Sequence, residues 1–123
     1  YVTSNAVHQA SKLPEGERRP FLDWLFDLEY NRLGLPRPDL VLYLDMPVEV
    51  SEQMLRRREN ATGTSADIHE QDGDYLRRCR ESAGAIARDL GWRVISCAER
   101  GRPRPPEEIH REVSALADQC LSR

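Results

Sequence analysis

The sequence predicts an α/β fold in which parallel β-strands are flanked by helices. Residues 40–44 (LVLYL) form a continuous apolar run, which is typical of a parallel strand covered on both faces. Residues 93–97 (RVISC) form a second short strand pattern, and helical patterns precede, separate and follow the two. A helix that connects two neighbouring strands makes them parallel. Because two strands alone make a poor sheet, we expect neighbouring strands from residues that precede Tyr1.

Two helices are predicted before the first strand. The first covers residues 4–12, with Ser4 as a favoured N-cap. Its apolar side consists of Ala6, Val7 and Ala10. The second covers residues 17–33 and ends at Gly34, a residue common just after helices. Its apolar residues recur at helical spacing: Phe21, Trp24, Leu25, Leu28 and Leu33.

The strand at residues 40–44 leads into a helix that starts near Asp45 and Pro47 and runs to about Arg58. Residues 59–66 (ENATGTSA) are small and polar and predict a loop. Another helix is expected over residues 71–90, closed by Gly91. Its apolar face consists of Tyr75, Leu76, Cys79, Ala83, Ile86, Ala87 and Leu90.

After the second strand, residues 98–105 are rich in Arg and Pro and predict a polar loop. A final helix then begins at Pro106, with acidic residues in its first turn, where they complement the helix dipole. Its core stripe consists of Ile109, Val113, Leu116, Ala117 and Cys120.

The composition excludes several classes of protein. A formal net charge of -3 argues against generic nucleic-acid binding, and no apolar run approaches the ~20 residues that span a bilayer. Cys79, Cys97 and Cys120 form no metal-binding pattern. They are predicted to be buried free thiols, which suits the cytoplasm. Arginine dominates the cations, and its planar guanidinium suits phosphates and flat rings.

Four segments occur in a fixed order along the chain. The first is YVTSNAVHQASKL at residues 1–13, and the second is GLPRPDLVLYLD at residues 34–45. The third is an arginine-rich helix end followed by DIHE and DYL, and the fourth is WRVISC at residues 92–97. Together they resemble the thymidylate kinase (dTMP kinase) family over essentially the whole chain. The resemblance implies the C-terminal half of a P-loop nucleotide kinase fold. In that family an Asp-Arg pair directly precedes the tyrosine that Tyr1 matches. That pair and the P-loop pattern GxxxxGK(S/T) are both absent from these residues.

The resemblance also implies a function. The parent protein would be a homodimeric cytoplasmic kinase that uses ATP and Mg²⁺ to phosphorylate dTMP to dTDP, with no nucleic-acid or membrane partner. This chain alone is predicted to be inactive, because the P-loop and its Mg²⁺ site are not in it. Two alternatives stay open. One is a related deoxynucleoside or nucleotide kinase, and the other is a degenerate module that binds a nucleotide or a partner protein without catalysis.

By the same resemblance, the helix of residues 4–12 recognises the thymidine. Its substrate-binding candidates are Tyr1, Ser4, Asn5, His8 and Gln9. The Asn5 amide offers a donor and an acceptor, as a pyrimidine edge requires, and His8 lies one turn further on the same side. Many bacterial relatives carry a tyrosine at the position of His8, so this chain departs from the family there. The alternative interpretation is that these polar side chains form a solvated helix face that binds no ligand.

Arg56, Arg57 and Arg58 correspond to the family's lid. The resemblance assigns adenine stacking to Arg58 and phosphate contacts, in a catalytic role, to Arg57 or Arg56. Successive helical residues point about 100° apart, so the three cannot share one role. Arg100 is a further ATP-binding candidate. The alternative is structural, since cations stabilise a helix C-terminus by about 0.3–1 kcal/mol.

The chain is interpreted as one partial domain. Residues 1–33 would carry nucleoside recognition and a dimer-interface helix, residues 40–58 a strand and helix, residues 59–70 the lid, and residues 71–123 a helix, strand and helix. No metal site is predicted. Asp67, His69 and Glu70 lack an HExxH context, and we expect them to cap and anchor the lid instead.

Overall fold

The computed structural model describes residues 1–63 and 73–122. The helices of this part are α1 (Val2–Ala10), α2 (Glu15–Phe26), α3 (Val48–Thr62), α4 (Gly73–Asp89) and α5 (Pro106–Leu121). Its strands are β1 (Leu42–Asp45), β2 (Arg93–Ser96), β3 (Ala98–Glu99) and β4 (Arg102–Pro103). Asp67, His69 and Glu70 lie outside the described residues.

The predicted parallel pairing is confirmed. β1 and β2 lie side by side with Leu42 opposite Arg93 and Asp45 opposite Ser96. The sequence also predicts that β1 is covered on both faces. This prediction is wrong for the described residues, among which Leu44 of β1 is 52% exposed. On β2, Ile95 is fully buried whereas Val94 is 48% exposed. The described elements therefore cover this two-stranded pair only in part.

Helices α1, α2 and α4 enclose the main core. Its buried residues are Val2, Ala6, Ala10, Leu22, Leu25 and Ile86. The three from α1 recur every fourth residue and are small, so one side of α1 can approach its neighbours closely. Ala6 and Ala10 are buried as predicted, while Val7 is only half-buried. The opposite side of α1 is thereby turned away from the core.

The first two helices differ from their predicted bounds. α1 begins at Val2, so Ser4 lies in its first turn and Tyr1 occupies the N-cap position. α2 ends at Phe26 and continues as a π-helical segment, Asp27–Arg32, in which the Leu33 amide donates to the Leu28 carbonyl at 2.9 Å.

The predicted apolar stripe of this second helix is partly wrong. Leu22, Leu25 and Glu29 are buried there, while Trp24 is 59% and Leu33 is 64% exposed. The wider π-helical turn displaces Leu33 from the stripe of a regular helix. Trp24 lies on the turn between the buried Leu22 and Leu25 and points elsewhere, so it is not a core residue.

Two predicted loops contain regular structure. Residues 59–62 belong to α3, which ends at Gly63 in a left-handed conformation (φ 66°). Residues 98–103 form a hairpin in which β3 pairs antiparallel with β4. Its two central residues, Arg100 (φ 51°) and Gly101 (φ 73°), are both left-handed, as a type I′ turn requires. An arginine at the first of these positions is a weak turn signal, so the sequence pattern did not reveal the hairpin.

Helix α5 covers the sheet less tightly than its sequence suggests. None of its residues is buried, and the predicted core stripe from Ile109 to Cys120 is half-buried. The predicted burial of the cysteines holds only for Cys97. Cys79 and Cys120 are half-buried, and all three cysteines are free thiols.

Thiol reactivity should follow this difference in burial. Burial raises the pKa of the Cys97 thiol, so less of its reactive thiolate is present at a given pH. We expect iodoacetamide to alkylate Cys97 of the native chain more slowly than Cys79 or Cys120. Peptide mass spectrometry over time measures the three rates, with the guanidinium-unfolded chain as control. Equal rates in the native chain would contradict the burial of Cys97.

Candidate functional site

Polar groups gather where β1 ends. The carboxyl ends of parallel strands are where α/β folds bind ligands. Asp45 is the last residue of β1, and Arg80 of α4 donates to both of its carboxylate oxygens, from Nε at 2.7 Å and from Nη2 at 3.0 Å. Such a bidentate pair is directional as well as charged. It fixes the middle of α4 against the carboxyl end of the sheet.

A cavity of about 240 Å³ opens beside this pair. Four elements line it: α1 contributes His8, β1 contributes Tyr43, α3 contributes Ser51, and α4 contributes Arg80. Burial, and then the nearby Asp45 carboxylate, raise the pKa of the Tyr43 phenol. Tyr43 is therefore neutral at physiological pH and can donate a hydrogen bond. The cavity joins an imidazole, a phenol and a guanidinium to apolar walls.

The structure brings one of the five predicted substrate residues to this cavity. His8 lines it and is exposed on α1. Ser4 and Gln9 are exposed and Asn5 is half-buried on the same short helix. Tyr1 lies at the other end of α1, where its hydroxyl donates to Oε1 of the buried Glu29 at 3.4 Å. The roles of all five in binding stay predictions.

The predicted lid arginines lie away from the cavity. Arg56, Arg57 and Arg58 are exposed in the second half of α3, whose first turn borders the cavity through Val48 and Ser51. At 1.5 Å per residue, Arg56 is about 12 Å further along the helix axis than Val48. The structure thus separates these arginines from His8.

Arg100 also lies apart from the cavity. It stands at the tip of the β3–β4 hairpin with its side chain 91% exposed and its Nε 4.0 Å from Oε1 of Glu99. The hairpin follows the carboxyl end of β2, so Arg100 is at the edge where ligands bind in such sheets. Its contact with a nucleotide stays a prediction.

Several curated proteins are similar in sequence to this chain. The chain is 32% identical over 96 residues to the thymidylate kinase of Mycobacterium tuberculosis H37Rv, covering 75% of this chain and 43% of the relative. It is 32% identical over 127 residues to that of Thermomicrobium roseum, covering 100% and 53%. The chain belongs to the thymidylate kinase family. A probable thymidylate kinase of Pyrobaculum aerophilum is 27% identical over 98% of this chain and 53% of the relative.

Family membership confirms the resemblance inferred from the four segments. The chain spans about half the length of the curated thymidylate kinases that it matches. No protein-family model matches it.

The sequence patterns did not reveal two side-chain interactions that join distant elements of this chain. One is the Asp45–Arg80 pair, whose partners are 35 residues apart. The other is Arg104, whose Nη1 donates to the Ser96 carbonyl at 2.6 Å and to Glu112 Oε2 at 2.9 Å. Arg104 therefore ties the hairpin and α5 to the carboxyl end of β2. Asp45 carried a signal, as a carboxylate directly after a strand, but nothing in the pattern identified its partner.

Within residues 1–63 and 73–122, no group of three or more His, Cys, Asp or Glu side chains is placed to hold a metal ion. In the same ranges, no helix is both long and apolar enough to cross a membrane.

Proposed function

We propose that the whole protein containing these residues is a thymidylate kinase that transfers the γ-phosphoryl group of ATP to dTMP, giving dTDP and ADP. The observation that supports this most directly is the 32% identity to curated thymidylate kinases, over 75% of the chain in one case and 100% in another. Phosphoryl transfer depends mainly on holding donor and acceptor in line and neutralising charge. In this proposal, some residues of the chain bind the acceptor dTMP and others bind the donor ATP.

For the acceptor, we assign recognition of dTMP to α1, on which Ser4, His8 and Gln9 are exposed. We infer that the Asn5 amide pairs with the thymine edge and that Ser4, Gln9 and Tyr1 complete the contacts with the nucleotide. His8 lines the cavity next to Arg80, a position that suits contact with the sugar. The burial of Ala6 and Ala10 supports this arrangement, because it fixes which side of α1 remains available.

For the donor, we infer that Arg57 or Arg56 contacts the phosphates of ATP, that Arg58 stacks on the adenine, and that Arg100 borders it. The exposure of all four side chains leaves them accessible to a ligand. When bound with ATP, Mg²⁺ neutralises phosphate charge. The sequence contains no GxxxxGK(S/T) motif. We therefore assign the P-loop and Mg²⁺ contacts to other residues of the whole protein.

A coupled assay of ADP release with dTMP and ATP tests this proposal. We expect turnover by the whole protein and none by the present 123 residues alone. Turnover by these residues alone would contradict the assignment of the P-loop and Mg²⁺ contacts to other residues of the whole protein. Substituting dUMP, dCMP and deoxynucleosides for dTMP distinguishes a related kinase. Nucleotide binding without turnover by the whole protein would favour the non-catalytic alternative.

The role of Asn5 gives a separate prediction. Asn5→Ala removes both hydrogen-bonding groups and should weaken dTMP binding by about threefold to tenfold per bond lost, with little change in ATP binding. Isothermal titration calorimetry of the whole protein measures both affinities. Lys12→Met, an exposed change just after the same helix, is the control. An unchanged dTMP affinity in Asn5→Ala would remove Asn5 from the site.

We also propose a homodimer in the cytoplasm. Trp24 is 59% exposed on α2, and large aromatic side chains are enriched at protein interfaces. This supports the assignment of α2 to a dimer interface. The three free thiols suit a reducing compartment.

A further inference from the structure

The end of α1 places a candidate substrate residue beside α4. His8 lies in the last turn of this helix and lines the cavity of about 240 Å³ together with Arg80 of α4. The fully buried residue of the same turn is Ala10, and an alanine buries far less apolar surface than a leucine or a phenylalanine. Apolar packing is therefore modest at this end of α1, and polar contacts have a larger part in fixing where His8 lies.

Ser11, which caps the end of α1, is a polar residue at a buried position, with 5% of its surface exposed. Its Oγ donates to the His8 carbonyl at 3.0 Å and lies 3.4 Å from Sγ of Cys79, in the middle of α4. Burying a hydroxyl is unfavourable unless it is hydrogen-bonded. Ser11 meets this requirement through contacts with two elements, and these contacts join the end of α1 to α4.

The direction of these hydrogen bonds follows from the protons that each group carries. A carbonyl oxygen can only accept, so the single proton of the Ser11 hydroxyl points to His8. The contact between Ser11 and Cys79 then takes its proton from the thiol, which makes the Cys79 S–H the donor. Cys79 therefore donates to Ser11, and Ser11 donates to His8.

Tyr75 lies one helical turn before Cys79 on α4 and interacts with the same pair. Hydrogen bonding with Cys79, and then burial, raise the pKa of the Tyr75 phenol, while a smaller effect of Ser11 lowers it. The phenol is therefore protonated at physiological pH, and its hydroxyl can donate to the Cys79 sulfur. We call Tyr75, Cys79, Ser11 and the His8 carbonyl the α1–α4 network. Hydrogen bonds in such a series strengthen one another.

We propose that Ser11 is a positioning residue that holds His8 in the acceptor cavity, through its hydrogen bonds with the His8 carbonyl and the Cys79 thiol. This rests on the proposed role of His8 in binding dTMP. Ser11 is not among the described residues that line the cavity, so it acts through His8 and does not touch the nucleotide. Loss of its hydroxyl leaves the Cys79 thiol without its acceptor and allows the last turn of α1 to move away from α4.

A double-mutant cycle between Ser11 and His8 tests this, with dTMP affinity of the whole protein measured by calorimetry. His8→Ala removes the imidazole but keeps the carbonyl that Ser11 contacts. We expect Ser11→Ala to weaken dTMP binding by about threefold to tenfold in the wild-type background. In the His8→Ala background it should have no further effect, and ATP affinity should stay near wild type throughout. Equal weakening of dTMP binding in both backgrounds would overturn the proposal, because Ser11 would then act independently of His8.

Ser122→Ala is the matched control for the loss of a capping hydroxyl. Ser122 caps the end of α5 as Ser11 caps that of α1, and its Oγ donates to the Asp118 carbonyl at 2.7 Å. We expect this variant to bind dTMP and ATP as the wild type does. Thermal melting shows whether each variant is folded. A loss of dTMP affinity in Ser122→Ala as large as that in Ser11→Ala would count against a specific role of Ser11.

Hydrogen exchange tests the α1–α4 network without any nucleotide. The amides of residues 11–13 donate to carbonyls of the last turn of α1, so their protection reports how firmly this end is held. We expect faster exchange there in Ser11→Ala and Cys79→Ala, and exchange nearer to wild type in Cys79→Ser, which keeps a donor. Cys79 itself lines the cavity, so its variants are compared by exchange and not by dTMP affinity. Unchanged exchange in folded Ser11→Ala and Cys79→Ala would overturn the proposal.

Failure of the proposed function and failure of this inference are distinguishable. If the whole protein binds no dTMP, the proposed function fails, whereas exchange at residues 11–13 still decides whether Ser11 and Cys79 hold the end of α1. If dTMP binds and His8→Ala leaves its affinity unchanged, His8 is no contact and the positioning role is overturned. Where Ser11→Ala does not fold, the comparison of Cys79→Ala with Cys79→Ser decides, and equally fast exchange in these two would contradict the network.

Discussion

If the proposed function holds, replacing Arg56 and Arg57 together by methionine is expected to lower kcat of the whole protein by about 10²–10³-fold, the usual cost of removing a group that stabilises transition-state charge. The transferred phosphoryl group carries its charge on oxygens that need neutralisation as the bond to ADP breaks. Both guanidinium groups are exposed on the second half of α3. Methionine keeps the length and helical preference of arginine, so α3 should persist.

Steady-state kinetics with saturating dTMP and varied ATP measures this effect. A loss shared by kcat and kcat/KM indicates contacts made only in the transition state, whereas a rise in KM alone indicates ground-state binding. Single variants then identify which of the two arginines acts on the phosphates. The control is Arg88→Met, a similarly exposed arginine in the last turn of α4. Near wild-type kcat in the double variant would contradict the catalytic role.

Ile95→Ala should lower the free energy of unfolding by about 2–5 kcal/mol, the range for emptying a fully buried aliphatic site. Ile95 is completely buried in the middle of β2, opposite Leu44. Its side chain fills space that the surrounding elements cannot close without moving the parallel pair. A loss of this size is a large part of the stability of a small domain.

Urea unfolding followed by circular dichroism measures the change. Val94→Ala is the matched control, because Val94 precedes Ile95 on the same strand and is 48% exposed. We expect it to cost less than about 1 kcal/mol. Equal small losses in the two variants would mean that β2 is buried on neither face in solution, and equal large losses would mean that it is buried on both. A change confined to Val94→Ala would reverse the assigned faces of the strand.

Prediction from sequence succeeded where a local rule applied. The helix over residues 73–89 was recognised because apolar residues recur along one face, and Gly91 follows it in the left-handed conformation (φ 67°) expected after a helix. The parallel pairing of β1 and β2 followed from a helix between two apolar runs. The π-helical turn at Asp27–Arg32 and the hairpin turn at Arg100 have no comparable signal.

The candidate site was likewise predicted only in part from the sequence. The sequence identified the polar side of α1 and the arginines of α3, since both lie within single helices whose spacing is known. It could not place His8 beside Tyr43 and Arg80, because the cavity joins α1, β1, α3 and α4. It also could not show that Arg56 lies away from that cavity. Those relations depend on how helices dock, and docking depends on packing between residues far apart in the chain.

By itself, the sequence determined the α/β class, the parallel connection and the thymidylate kinase family, because periodicity, helix-ending glycines and ordered segments are local properties of a chain. Only the tertiary structure decided that Asp45 pairs with Arg80, that Arg104 ties the hairpin to β2, and that α3 is buried only in its first turn. A carboxylate can pair with any accessible cation. The fold selects one partner by bringing the two groups within hydrogen-bonding distance and limiting their access to water.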